Sequence, residues 1–282
     1  MKKQQWIIAL GALILVVIIY IGGVTKAPKS DTPKGPSPQS AASQPVTSEI
    51  LLAKAKQRLK PEQVARLAAL ESSVKRGDVK DQQLQVFHQL AKFWSDSARM
   101  FEPFAYYTSE AAKLENSEKS LTFAAHLFLD NLLTEGDPAM QHWLGENAKV
   151  LLDKALVINP ANDSSKIGLG ICYMFGNISD NPMQGIMEVR KVVQEHPDNL
   201  YGQMVLGLGG KKSGQYDKAI DRFKTVIEKQ PENLEAIFNL AETFELKGDK
   251  VNAVIWYQKA RDIIQVPDAK IALDKRIKEL KK

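Results

Sequence analysis

Residues 200–267 divide into two successive lines of 34 residues, LYGQMVLGLGGKKSGQYDKAIDRFKTVIEKQPEN and LEAIFNLAETFELKGDKVNAVIWYQKARDIIQVP. The lines match in character at the same places: Leu206 and Leu240, Gly207 and Ala241, Gly214 and Gly248, Ala219 and Ala253, Phe223 and Tyr257, Val226 and Ala260. A fixed period of this length confines the chain to architectures in which one small unit stacks on the next. Each line predicts two amphipathic helices with the shared Gly at the turn between them. Small residues at the eighth and twentieth places let the paired helices approach, and the aromatic at the twenty-fourth fills the space that is left. One such hairpin cannot bury its own apolar face, so the rest of the chain is expected to supply more of them.

The period and its small, aromatic and Gly markers resemble the tetratricopeptide (TPR) repeat. That resemblance implies an all-α superhelix of helical hairpins and a binding module or scaffold rather than an enzyme. Upstream, 163–199 is a line of 37 residues with Leu169-Gly170, Tyr173 and Pro197 in register, and three extra residues in the turn Gly176–Pro182. The line 118–162 has 45 residues, marked by Ala124-Ala125, Phe128, Ala148, Leu152, Ala155 and Pro160; its extra residues around 135–146 carry Trp143. The line 84–117 is degenerate: Leu90-Ala91, Trp94 and Tyr107 fit, while Pro103 stands at the usual Ala place. About five repeats over 84–267 are expected.

Residues 47–83 read as two helices, Ser48–Leu59 and Pro61–Arg76, with Gly77 as a stop. Ile50, Leu51, Ala55 and Leu59 form one apolar stripe and Val64, Leu67, Ala68 and Val74 another; the pair reads as an N-terminal cap or as a short dimerisation segment. Residues 268–282 form a basic amphipathic helix with Ile271, Ile277 and Leu280 on its apolar side. It reads as a C-terminal capping helix or as a membrane-surface helix.

Residues 1–5 are a short basic tail, and 6–24, WIIALGALILVVIIYIGGV, carry no charge. As a helix they would extend roughly 28 Å, about one hydrocarbon core. This predicts a transmembrane signal anchor; the rival, a cleaved signal peptide, lacks a good junction at Thr25-Lys26-Ala27-Pro28. Residues 25–46 are Pro, Ser, Ala and Lys, a tether rather than a core former. Basic residues flank both sides of 6–24, so the positive-inside count is nearly balanced. The expectation is a single-pass protein of the bacterial inner membrane with its C-terminal body in the periplasm.

The formal net charge of +5 resides mainly outside the body: residues 1–46 carry five Lys against one Asp. No positive stripe suited to nucleic acid appears in the body. Cys172, the single cysteine, allows no intrachain disulfide and reads as a small buried residue. His88, His126, His142 and His196 lack metal-ligand spacing, and His126 with Asp130 supplies two ligands without a third. Leu206-Gly207-Leu208-Gly209-Gly210 follows a helical pattern and lacks the Lys-Ser/Thr of a phosphate loop. No catalytic, metal or cofactor site is expected.

In TPR superhelices the first helix of each repeat lines the concave face through its second, fifth, sixth, ninth and twelfth positions. Carried over by position, this implies a partner-binding groove of Phe123, Leu129, Ile167, Ile171, Met174, Tyr201, Met204, Val205, Leu208 and Phe238, with Phe175 beside it. Of the cationic clamp used by chaperone receptors only Asn239 and Lys119 are present. An apolar groove suits a protein partner, an apolar helix or extended peptide of a membrane-proximal complex. The overall plan resembles periplasmic TPR subunits of secretion translocons and of cytochrome c maturation machinery. The other reading is a structural subunit or homo-oligomer whose groove is filled by its own side chains.

Overall fold

The structure, a computed structural model, describes residues 46–76 and 80–282. The expected basic tail, the membrane helix at 6–24, the tether up to residue 45 and the stop at Gly77 lie outside the described residues. Among the described residues no helix is long and apolar enough to cross a membrane. Everything described belongs to one compact unit, Gln44–Lys282.

That unit is all-helical among the described residues. The helices are α1 (Ser48–Lys56), α2 (Pro61–Arg76), α3 (Lys80–Lys92), α4 (Phe101–Glu115), α5 (Glu118–Leu132), α6 (Pro138–Ile158) and α7 (Asp163–Phe175). They continue as α8 (Met183–Glu195), α9 (Leu200–Lys212), α10 (Tyr216–Lys229), α11 (Leu234–Leu246), α12 (Lys250–Ile263) and α13 (Pro267–Leu280). From α3 onward they pair as α3–α4, α5–α6, α7–α8, α9–α10 and α11–α12, one pair for each repeat line.

Sequence fixes the joints between repeats. Asn162, Asn199 and Asn233 each cap the next first helix, their side chains accepting from Ser165, Gly202 and Ala236 N–H at 2.8, 2.9 and 2.9 Å. The residue ending each preceding helix has nearly the same conformation: Asn159 (φ −132°, ψ 89°), His196 (−130°, 79°) and Gln230 (−133°, 80°). Each is followed by Pro and, two residues later, by the capping Asn. Within the last two repeats the turn closes at Gly214 and Gly248, whose φ of 75° and 87° favours glycine. The last joint is different. Ile264 takes φ −65° and ψ 137°, and α13 begins at Val266-Pro267 without a side-chain cap.

The irregular repeats have physical reasons. The extra residues of 118–162 lengthen α6 to 21 residues. They seat Trp143 in the core edge-on to Phe128 at 5.4 Å, and its Nε1 donates to Ser48 Oγ at 3.0 Å. In the degenerate repeat α3 widens into a π-helical segment, Phe93–Ala98, which ends at Arg99 with φ 54°. This turn buries both Phe93 and Trp94, rings 5.3 Å apart, and leaves Trp94 Nε1 without a hydrogen-bond partner. Pro103 lies within the first turn of α4, where its missing N–H breaks no helical bond.

The flanking helices depart in detail from their expected stripes. α1 stops at Lys56, with Leu59 beyond it, and packs on α4. In α2 Leu67 is buried, whereas Val64 and Ala68 are exposed. α13 turns Leu273, Ile277 and Leu280 onto α12 and leaves Ile271 67% exposed. Residues 273, 277 and 280 share one helical face at spacings of four and three, and 271 falls outside it. Cys172 is buried, and burial chiefly pushes its thiol up to about 12.

Candidate functional site

The first helices of successive repeats, α3, α5, α7, α9, α11 and then α13, form one row. In its middle, α5 packs on α7, α7 on α9 and α9 on α11; at the ends, α3 and α5, and likewise α11 and α13, do not pack closely. This spacing decides the fate of the predicted groove. Leu129, Ile167, Ile171 and Val205 lie wholly inside the core, and Met174, Phe175 and Met204 are nearly so. They form the joints between neighbouring first helices, and of them only Met174 also lines a small cavity, beside Gly210. Gly168 shows how tight the joints are: a Cβ there would meet Leu152 at 2.9 Å and Leu129 at 3.0 Å.

Four of the predicted residues remain accessible. Tyr201 and Leu208 are half-buried, and Phe123 and Phe238 are 58% and 39% exposed. The Tyr201 ring lies 5.9 Å from that of His126, whose Nε2 is 3.0 Å from Ser164 Oγ. Burial and then the Asp130 charge push the Tyr201 phenol up. Among the described residues no group of three or more His, Cys, Asp or Glu is placed to hold a metal ion. At the end of α7 the Lys212 ammonium lies 4.9 Å over the Phe175 ring and donates to Met174 O at 3.3 Å, and burial lowers its pKa.

The two exposed phenylalanines stand in separate clefts, one at each parted junction. Phe123 faces a cleft of about 570 Å³ with Ala91, Phe104, Thr108 and Ala112, rimmed by His88, Lys92, Asp96 and Lys119. Phe238 faces a larger one, about 800 Å³, whose walls are α11 and α13 and whose floor is α12. Leu234, Phe238 and Leu246 line it from α11, Tyr257, Ala260 and Ile264 from α12, and Ala269, Ala272 and Leu273 from α13.

Polar groups are fixed around the larger cleft. Tyr257, its ring 5.8 Å edge-on from Phe238, donates its hydroxyl to Glu245 Oε2 at 2.9 Å. Burial and then the Glu242 charge push that phenol up to about 12. Arg276 of α13 reaches across to the same carboxylate, its Nε 3.2 Å from Oε2 and its Nη2 on Oε1, and also pairs with Glu279. Glu242 accepts from Lys211 at 2.8 Å. Asn239 is not free for a clamp, since it accepts from Lys211 at 2.5 Å and donates to Glu235 O at 2.9 Å. Glu235 stands on the rim and, among the described residues, makes no ion pair.

Leu246, Ile264, Leu273 and Arg276 were not part of the predicted groove. The signal for them is the last joint, Ile264-Gln265-Val266-Pro267, which lacks the Pro-x-Asn linker of the three before it. Without that joint α13 is not delivered onto α11, and the cleft opens between them.

Paired helices repeating on one another, first helix beside first helix, define an α-helical repeat solenoid. No family model matches the sequence. The chain is similar to a solved tetratricopeptide repeat protein from Parabacteroides merdae, with a TM-score of 0.54 and 15% identity over 83% of this chain and 86% of that one. It is also similar to PilW, described as a widely conserved type IV pilus biogenesis factor, with a TM-score of 0.50 and 17% identity over 70% of this chain and 85% of that one. The chain has the tetratricopeptide-repeat fold.

Proposed function

We propose that this protein is a non-enzymatic scaffold that holds a segment of a partner protein in the cleft between α11 and α13. The observation that supports this reading is the cleft itself. It offers about 800 Å³ lined mainly by apolar side chains, with Phe238 and Leu246 exposed on one wall. Contiguous accessible apolar surface in a concavity is what an amphipathic helix or an extended apolar peptide covers. Residues 6–24 anchor the scaffold in the bacterial inner membrane, and the body works in the periplasm on a partner near the membrane, in protein export or in assembly of a membrane complex.

The test is photo-crosslinking in cells from position 238, with position 150, on the exposed side of the second helix α6, as the reference. A partner captured from 238, absent from 150 and lost in Leu246→Glu supports the cleft. Equal capture from both positions refutes it. Protease accessibility in spheroplasts checks the topology: the body is cleaved when the outer membrane is opened and the inner one is intact.

A second reading, a rigid spacer whose partners or further copies bind elsewhere, is favoured by one observation. The middle of the first-helix row is closed by the protein's own side chains. On that reading crosslinks map to Val251 and Ile255, exposed apolar residues of α12, and none arise from 238.

A further inference from the structure

The eleventh place of each repeat line carries an aromatic in four repeats, Trp94, Phe128, Tyr173 and Phe244, and Gly210 in the fifth. Trp94, Phe128 and Phe244 are buried and Tyr173 is half-buried, so this place normally fills the space inside the hairpin. At Gly210 no ring is supplied, and a cavity of about 180 Å³ stands among α8, α9 and α10. The space left by Gly209 is taken by this chain, since a Cβ there would lie 3.1 Å from Met174 Sδ. The space beside Gly210 stays open as this cavity. Its lining is mixed: Met174, Ile186 and Leu206 form an apolar side, and Arg190 from α8 with Lys218, Asp221 and Arg222 from α10 form a charged one.

Two of the three cations are held by neutral amide oxygens. Arg222 Nη1 donates to Gln203 Oε1 at 2.7 Å, and Gln203, buried, is fixed in turn by donating to Pro197 O at 2.9 Å. Lys218 donates to Gln215 Oε1 at 2.7 Å, and among the described residues Arg190 has no hydrogen-bond partner. Among the described residues, none of the three is within 4.0 Å of a carboxylate oxygen, Asp221 included. Three cations against one carboxylate leave the cavity with an excess of two positive charges. Guanidinium forks and an ammonium are the groups that recognise compact oxyanions.

We infer that this cavity is a binding site for a phosphate group, held by Arg190, Lys218 and Arg222. A dianion matches the excess charge. Asp221 adds an acceptor that a phosphate retaining one proton can donate to, and sulfate has no such proton to offer. The site is not a glycine-rich phosphate loop, because α9 runs unbroken through Gly209 and Gly210 and recognition falls to side chains. It lies apart from the cleft proposed above and stands or falls without it.

The test is calorimetric titration of the full-length chain in detergent micelles with sodium phosphate, with glycerol 3-phosphate and with sodium sulfate, at matched ionic strength. Phosphate is expected to bind at least tenfold more tightly than sulfate. Glycerol 3-phosphate, whose dianion keeps no P–OH proton for Asp221, is expected to bind no more tightly than sulfate, and binding equal to that of phosphate overturns the Asp221 contact. Arg190→Gln and Lys218→Gln, both at exposed positions, are each expected to weaken phosphate about tenfold while leaving the circular dichroism unchanged. Gly210→Phe restores the missing ring and is expected to abolish binding. A Cβ there lies 3.2 Å from that of Ala219, so the two surface variants carry the test if it misfolds. Phosphate binding no tighter than sulfate, or unchanged in the Arg190→Gln/Lys218→Gln double variant, overturns the proposal.

Discussion

Ile167 and Phe238 occupy the same place, the fifth, in the first helices of two repeats, α7 and α11. Ile167 is fully buried and Phe238 is 39% exposed. Val205 and Phe123 make the same contrast at the sixth place, one inside the core and the other facing a cleft. What separates the members of each pair is the neighbour, not the side chain. Where one first helix lies on the next, apolar side chains at these places become the joint between repeats. Where the helices part, the same chemistry is left facing solvent. A groove is therefore a property of a junction, and an apolar strip read along the chain is cut into core and cleft by the spacing of its helices.

The sharpest way to break that contrast is to truncate both members of a pair. Ile167→Ala is expected to lower unfolding free energy by about 2–5 kcal/mol, the cost of a cavity in a packed core. Phe238→Ala should cost under about 1 kcal/mol, as an accessible position does. Urea melts of the two variants measure both; equal losses would mean that the α11 wall is as closed as the α7 joint. Met174→Glu belongs with Ile167, because it would place a charge in packed surroundings and damage the fold before reporting on any partner.

Cys172 probes the same closed region without altering its packing. Burial holds its thiol up at about 12, from an ordinary value near 9, so the neutral form is the one the fold favours. That contribution to stability is complete below pH 9 and is lost as pH rises toward 12. At pH 9 an unfolded thiol is about half ionised and reacts readily with a disulfide reagent. The folded chain is expected to react only as fast as it opens, and Ile167→Ala should accelerate labelling whereas Phe238→Ala should not.

Much of the fold was legible in the sequence because its determinants are local. The Pro-x-Asn linkers fix three joints, Gly214 and Gly248 fix two turns, and the small residues Ala219 and Ala253 sit buried where helices meet. The candidate site was legible only in part. Family positions mark which residues of a first helix can face inward. They do not carry the distance to the next first helix, which depends on joints in other repeats. The widening of α3 at Phe93–Ala98 and the uncapped start of α13 set those distances at the two ends. Ile271 shows the same limit on a smaller scale, since a helix stripe drawn from hydrophobicity alone misplaced one residue of three.

The Asn caps provide a finer comparison between the regular joints and the last one. Asn199→Ala and Asn233→Ala each remove a cap of about 2.9 Å and are expected to cost about 1 kcal/mol. At the last joint the converse applies: Val266→Asp supplies the cap that α13 lacks and should raise stability by about 0.5–1 kcal/mol, read from thermal melts. If removing Asn233 costs no more than a surface substitution, the joints are set by packing alone.

The smallest effect concerns the link that spans the cleft. Arg276 on α13 and Glu245 on α11 are the direct charged contact between walls that otherwise stand apart, and both side chains are partly exposed. An ion pair so open to water contributes on the order of 0.5 kcal/mol, with additional support here from the Tyr257 hydroxyl on the same carboxylate. A double-mutant cycle with Arg276→Gln and Glu245→Gln should return a coupling of about that size, falling in high salt as screening increases. Its consequence for the cleft exceeds its consequence for stability, because α13 has little else to hold it to α11. Arg276→Gln is therefore expected to leave the melting temperature within about 2 °C of the parent while changing the yield of crosslinks from position 238. A loss of several kcal/mol would show instead that the pair is part of the core and that the two walls form one rigid joint like those in the middle of the row.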